Sequence, residues 1–102
     1  MKPHNEILYI ISPLALRESL VDGLISVAAL SGFTVIPVQG FSRAHDSFKH
    51  SEQVQGYREL IQFQILLNDD NKDAVMTTIL PLCRSASLRF WTTPVVDEGH
   101  FV

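Results

Sequence analysis

The sequence is poor in the residues that mark several common classes of protein. The chain of 102 residues has one cysteine, Cys83, so an intrachain disulfide cannot form and a reducing compartment is favoured. Charged residues make up 19% of the chain and the formal net charge is -3, which argues against disorder and against a polyanionic partner. No apolar run reaches the length of a membrane span, and the N-terminal run stops at Ser12 and Pro13 without a cleavage site. These features predict a cytoplasmic protein with no membrane insertion and no nucleic-acid partner.

Signatures of catalysis and of thiolate metal binding are also missing. No glycine-rich phosphate loop of standard spacing is present. A soft-metal chaperone would need a CxxC pair after the first apolar run, where this chain has Ser12, Pro13 and Leu14. No strained strand-to-helix turn presents a serine, and no buried carboxylate can be named to orient a histidine base. The sequence therefore predicts a protein without enzymatic activity, and it names no cofactor.

Hydrophobic periodicity predicts four strands. The unbroken apolar run over 7–11 is typical of a strand that is buried on both faces. The second strand is expected over 33–38, and Pro37 places it at a sheet edge or on a bulge. Regular alternation over 58–67 predicts the third strand with one buried face, and alternation over 88–93 predicts the fourth.

Two amphipathic segments predict helices between these strands. Ser12 and Pro13 favour a helix start, and Gly32 is expected to be its left-handed C-cap. The polar cluster over 68–71 favours a turn that caps a second helix, which is expected to end near Pro81. The element order is thus βαββαβ.

This order predicts an α+β fold, the ferredoxin-like split βαβ sandwich, with both helices on one face of a four-stranded antiparallel sheet. The second sheet face is then left without a cover. It should carry apolar side chains, because the first strand is apolar on both sides and Trp91 points opposite to Phe90. Burial of this face between identical subunits is the expected solution.

The segment over 41–55 is the main functional candidate because it is long, polar and almost free of apolar periodicity. His45 and His50 lie near carboxylates within it, so a divalent-metal site is one hypothesis, and solvated histidines are the alternative. Lys49 and Arg58 could bind a phosphate or carboxylate at a subunit junction, or could be a solvated rim.

Several short motifs carry a resemblance to a known family. They are Gly32-Phe33, Gly40, the closing stretch SEQVQG over 51–56, and FWTTPV over 90–95. Together they resemble a bacterial branch of the PII-like superfamily whose function is unknown and whose genes often stand beside heavy-metal efflux genes. The basic, glycine-rich nucleotide segment and the modifiable tyrosine region of true nitrogen-regulatory PII proteins are not recognisable, and neither are the signature segments of CutA proteins.

The resemblance implies a single PII-like domain over 1–102 that forms a homotrimer, with the segment over 41–55 corresponding to the PII T-loop. It implies a small ligand in a cleft between subunits and a possible client protein that contacts the loop. The ligand-binding candidates are Gly40, Ser42, Lys49, Glu52, Gln53, Gly56 and Arg58. The leading hypothesis is a trimeric sensor or regulator, and the alternative is a divalent-metal-binding accessory protein that uses His45, His50 and Glu52.

Overall fold

The described residues, 2–41 and 56–102 of a computed structural model, form a sheet covered by two helices. A 3₁₀ turn over Leu14–Leu16 follows the first strand. The elements in chain order are β1 (Glu6–Pro13), α1 (Arg17–Ile25), β2 (Phe33–Gly40), β3 (Arg58–Leu67), α2 (Lys72–Ser85) and β4 (Arg89–Pro94).

The four strands form one antiparallel sheet in the order β2-β3-β1-β4. This is the predicted α+β arrangement. Strand β2 lies at an edge, as its proline predicts, because an edge strand tolerates the missing backbone donor of Pro37.

The hydrophobic core lies between one face of the sheet and the two helices. Strand β3 supplies four apolar side chains that are at most 5% exposed, at the alternating positions that the sequence predicts. The buried apolar residues are Leu8, Ile10, Leu20, Leu24, Val27, Ile61, Phe63, Ile65, Leu67, Val75 and Ile79. Both helices contribute to this cluster, so both cover the same sheet face.

The first helix begins later and ends earlier than the sequence predicts. Ser12 is paired with Ile61 in the β1–β3 ladder, and its hydroxyl donates to the carbonyl oxygen of Pro13 at 2.8 Å instead of capping a helix. Pairing with β3 therefore extends β1 into the predicted helix start. Helix α1 ends at Ile25, and Gly32 does not have the positive φ of a left-handed cap.

The second helix continues past Pro81 to Ser85, so the predicted end is wrong. Pro81 has no backbone N–H, so the carbonyl of Thr77 loses its helical hydrogen bond. Both residues are exposed, and water can donate to that carbonyl instead. The true end is a Schellman turn. Leu88 donates its backbone N–H to the carbonyl of Cys83 at 2.9 Å, and Ser87 takes the left-handed conformation with φ 52°.

A pair of buried asparagines connects β3 to α2. The Asn68 side-chain oxygen accepts from the backbone N–H of Asp70 at 2.9 Å and of Asn71 at 3.0 Å. The Asn71 side-chain oxygen accepts in return from the Asn68 N–H at 2.9 Å. The Asn68 amide also donates to the carbonyl oxygen of Lys2 at 3.2 Å, so one side chain ties the N-terminal segment to the start of α2.

Replacing Asn68 by alanine is expected to lower the free energy of unfolding by about 2 kcal/mol, because buried backbone donors lose their acceptor. For a domain of this size the melting temperature should fall by roughly 10 °C at fixed protein concentration. Asn5→Ala is the matched control, since its amide donates to Asp69 at 3.3 Å in an exposed bond. Similar shifts for the two variants in a thermal melt would contradict the structural role of Asn68.

Candidate functional site

A cavity of ≈ 390 Å³ lies where β2 ends and β3 begins, on the sheet face away from the helices. Its volume is in the range of small-ligand sites. The described residues that line it are Ile11, Val38, Gln39, Gly40, Phe41, Arg58, Leu60, Gln62, Arg89 and Trp91. Apolar side chains make up most of this wall, and Arg58 and Arg89 are the charged residues among its described members. We call it the loop-base cavity.

Strand register brings the two arginines of the cavity together. Arg58 begins β3 opposite Gly40, the last residue of β2. Arg89 begins β4 opposite Ile11, and Ile11 is also paired with Gln62 of β3. Both arginines therefore belong to the same sheet face, although they lie 31 positions apart in the sequence.

Aromatic rings form a second part of this wall. The Arg89 guanidinium carbon lies 5.6 Å from the centre of the Trp91 ring, and Trp91 stacks on Tyr9 with ring centres 5.5 Å apart. Trp91 is 38% exposed. Guanidinium groups bind phosphates and carboxylates through paired N–H donors, and an exposed ring face can hold a planar group. The cavity can thus bind an anion that carries a flat or apolar part.

The predicted ligand-binding residues are only partly within the described chain. Gly40 and Arg58 line the loop-base cavity. Gly56 follows the loop with φ 85°, a conformation that glycine adopts without strain. Ser42, Lys49, Glu52, Gln53 and the proposed metal ligands His45 and His50 lie outside the described residues, so their roles stay predictions.

Three residues of the cavity wall were not predicted from the sequence as binding residues: Gln62, Arg89 and Trp91. The strand alternation does contain one relevant signal. Arg89 and Trp91 are two positions apart and therefore share one face of β4. Alternation alone does not say which residue of β1 or β3 stands opposite them. The pairing of Arg89 with Ile11 was needed to place that arginine at the loop end of the sheet.

Replacing Gly40 by alanine is expected to weaken ligand binding severalfold at a stability cost of about 1 kcal/mol. A Cβ at this position would lie 2.6 Å from Leu60 Cδ1, so the Leu60 side chain must move within the cavity wall. Gly32→Ala is the control because its added Cβ would meet nothing within 4 Å. Anion titration and thermal melts measure both effects, and equal affinity in the two variants would contradict the steric argument.

The same sheet face carries a broad apolar surface, which includes the apolar residues of the cavity wall. Its side chains alternate with those of the core along each strand, and most are half-buried or exposed. We call this surface the open face; its apolar residues are Ile7, Tyr9, Ile11, Ile36, Val38, Leu60, Leu66 and Trp91. The apolar face that the sequence predicts is therefore present, and no helix or strand within 2–41 and 56–102 covers it.

Metal clusters and membrane-spanning helices are both absent from the described ranges 2–41 and 56–102. These ranges hold no group of three or more histidine, cysteine, aspartate or glutamate side chains arranged to bind a metal ion. They also hold no helix whose length and hydropathy would let it cross a bilayer. The hypothesis of a metal site at His45 and His50 falls on residues that these ranges leave out.

Comparison with solved structures gives the fold relationship. A crystal structure of a DUF3240 family protein from Shewanella baltica OS155 has 27% sequence identity and a TM-score of 0.77, covering 99% of this chain and 100% of that chain. CPII, a nitrogen regulatory PII-like protein from Thiomonas intermedia K12 bound to ADP, AMP and bicarbonate, has 17% identity and a TM-score of 0.67, covering 96% and 98%. A second CPII structure, bound to ADP and bicarbonate, has 16% identity and a TM-score of 0.64, covering 91% and 87%.

No curated protein matches the chain. The family model described as a protein of unknown function, DUF3240, matches residues 3–102. The predicted resemblance to an uncharacterised PII-like branch is confirmed, because the match spans almost the whole sequence and the structural neighbours include CPII. The chain belongs to the DUF3240 family and has the PII-like fold.

Proposed function

We propose that this protein is a non-catalytic PII-like regulator of the cytoplasm that binds a small oxyanion ligand in the loop-base cavity. The observation that carries the proposal is that Arg58 and Arg89 line one cavity on the same face of the sheet. Two guanidinium groups that line one space supply the charge and the paired N–H donors that bind an oxyanion. The cavity adjoins both ends of the segment over 41–57, so an occupant would contact the residues from which the long loop leaves the sheet.

The ligand chemistry that fits is a phosphate or carboxylate oxygen, with or without a planar group attached. CPII is bound to ADP, AMP and bicarbonate; all three carry anionic oxygens, and ADP and AMP also carry an adenine base. In this chain the guanidinium groups would bind the anion, and Trp91 would offer a surface for a base. The nucleotide-binding segment of true nitrogen-regulatory PII proteins is not recognisable in the sequence. The proposed ligand is therefore an oxyanion, and a nucleotide is one molecule that carries such a group.

A binding role fits the cavity better than a catalytic role. The described lining residues include no histidine, cysteine, serine, aspartate or glutamate that could serve as a base or nucleophile. Arginine stays protonated at neutral pH and so acts as a charge and a donor. The described wall can hold an anion without transferring a proton.

The regulator is proposed to be a homotrimer assembled through the open face. Half-buried apolar side chains extend over all four strands, and a monomer would leave them in water. Identical copies that meet around an axis would bury this face, as the family resemblance implies. The client protein would then contact the segment over 41–55 in the state that the ligand selects.

The fluorescence of the single tryptophan, measured while an anion is titrated into the protein, tests this proposal directly. Because Trp91 lines the cavity, its fluorescence should change with ADP, with bicarbonate or with inorganic phosphate at a fixed ionic strength. Hydrogen exchange over 41–57 should slow with the same ligand, and light scattering should give the trimer mass. Unchanged fluorescence and exchange with all three anions would contradict the ligand proposal, and a folded monomer at micromolar concentration would contradict the trimer.

A further inference from the structure

A second cavity of ≈ 320 Å³ lies on the helix side of the sheet, between α2 and β4. Its described lining residues are Leu8, Ile10, Met76, Ile79, Leu80, Cys83, Arg84, Ser87, Leu88 and Phe90. We call it the apolar groove. It is separate from the loop-base cavity because Phe90 and Trp91, adjacent in β4, point to opposite sheet faces.

The groove is an unfilled edge of the hydrophobic core. Its floor, Leu8 and Ile10, is 1% exposed, whereas Phe90 and Leu80 on its walls are 60% and 40% exposed. Arg84 is the only charged residue among the described lining residues. Within the described residues no carboxylate forms an ion pair with it. The groove is therefore suited to a segment with an apolar side chain and a negative charge.

The segment after β4, residues 95–102, has this chemistry. Val96, Phe101 and Val102 are 98%, 109% and 122% exposed, so their side chains touch almost nothing in their own subunit. Asp97 and Glu98 give the segment negative charge. Three fully exposed apolar side chains within seven residues are unusual for a surface segment, and burial elsewhere would remove their cost.

The segment is held at the C-terminal end of β4, whereas the groove residue Phe90 lies near the start of that strand. Val95 donates its N–H to the Asn5 carbonyl at 3.1 Å, and Glu98 contacts His4 Nδ1 at 3.2 Å. Hydrogen bonds from the His4 backbone N–H and ring lower the pKa of Glu98, which favours the carboxylate that makes this contact.

This anchor keeps the segment from reaching the Phe90 end of its own groove. From Val95 back to Phe90 is five residues of strand, or about 17 Å at ~3.3 Å per residue. From Glu98 to Phe101 is only three residues, a span of at most about 10 Å even when fully extended. While the His4 contact holds, the Phe101 backbone falls short of the Phe90 end of its own groove, whereas another copy presents that end without this restriction.

We propose that residues 95–102 of one copy dock in the apolar groove of a second copy of this chain. Phe101 is the anchor in the groove, and Asp97 approaches Arg84 of the second copy while Glu98 keeps its contact with His4. The match is of polarity and charge: an apolar groove with a cationic residue at its edge receives an apolar segment with an anionic residue. This interface is additional to the open face and does not depend on the ligand that the loop-base cavity binds.

Cys83 in the groove wall allows a site-directed disulfide test, and Val102→Cys supplies the second thiol without removing Phe101. A tagged copy with Cys83→Ser and Val102→Cys is co-expressed with an untagged copy that keeps Cys83. The complex is treated with diamide at mildly alkaline pH, because partial burial raises the pKa of the Cys83 thiol. We expect a disulfide-linked heterodimer on a non-reducing gel.

The matched control moves the new thiol to Ala29, an exposed position outside the segment, by Ala29→Cys. A heterodimer yield no higher than in this control would overturn the proposal. A single chain that carries both Cys83 and Val102→Cys tests the alternative within one subunit. If that chain forms a fast-migrating monomer in place of a dimer, the segment docks in its own groove and the proposal is wrong.

Two further variants separate docking from random collision. Phe101→Ala, added to the tagged copy, should slow formation of the heterodimer by about tenfold to a hundredfold, because it removes the apolar anchor. Leu80→Asp in the untagged copy should have a similar effect, since Leu80 is a 40% exposed wall of the groove. Undiminished cross-linking in both variants would show that the segment meets Cys83 without using the groove.

Discussion

Replacing Ile7 by glutamate is expected to dissociate the oligomer into single folded subunits. Ile7 lies on the open face, half-buried, opposite Leu66 of β3 and Thr93 of β4. None of these neighbours can neutralise a carboxylate. Association would bury this charge without a partner, at a cost of about 3 to 5 kcal/mol, and so weaken subunit binding by roughly a hundredfold to a thousandfold or more.

Symmetry makes this variant a severe test. Every copy in a closed ring carries the same substitution, so identical charges come together at each interface and repel one another. The measurement is molecular mass by light scattering or sedimentation at one fixed protein concentration. Far-ultraviolet circular dichroism reports whether the separated subunit keeps its secondary structure.

The matched control is Ile25→Glu, the same chemical change on α1. Ile25 is 68% exposed and lies on the helix layer, so its replacement should leave both mass and melting temperature almost unchanged. An assembly of unchanged mass in the Ile7 variant would contradict burial of the open face. Loss of assembly in both variants would indicate a general effect of added charge and would not support the open face as the interface.

Much of the fold could be predicted because its strands carry clear local signals. The bounds of β3 agree with the prediction, since regular alternation over 58–67 identifies both its ends and its buried face. Phe63 and Ile65 are completely buried, as the alternation requires. The order of elements then limits the topology to a few possibilities, and the split βαβ arrangement is the common one.

The helix boundaries were predicted less well because tertiary pairing overrides local preference. Ser12 and Pro13 have the composition of a helix start, yet both are paired with β3. The stop signal at Pro81 was also overridden, because an exposed carbonyl can bond to water in place of a helical donor. In both places the competing contact lies far away in the sequence and leaves no local pattern.

The candidate site was predicted only in part for a related reason. Gly40 and Arg58 were named because they adjoin the long polar segment, and both line the cavity. Arg89 is the other cation, and it is close to them only through two strand pairings across β1. Family motifs pointed to the loop and gave no pairing between strands, so the second half of the site required the structure.

Replacing Arg89 by glutamine is expected to weaken binding of an oxyanion to the loop-base cavity by about tenfold to a hundredfold. A hydrogen bond to a charged group contributes about 1.5 to 3 kcal/mol, and the variant removes the charge while it keeps a polar side chain. Trp91 fluorescence measures the affinity because the Arg89 guanidinium lies 5.6 Å from its ring. Arg17→Gln, an exposed charge removal on α1, is the control for the change in net charge.

The comparison with Arg58→Gln decides whether one anion contacts both arginines. If both guanidinium groups bind the same oxyanion, the losses in the double variant should differ from the sum of the single losses, because the two groups share a partner. Additive losses would instead indicate two separate anions or a long ligand that spans the cavity. Arg89→Lys adds a geometric test: lysine keeps the charge and loses the paired donors, so partial recovery is expected. Wild-type affinity in Arg89→Gln would remove this arginine from the site, and the cavity would then have to bind its ligand through Arg58 and the loop.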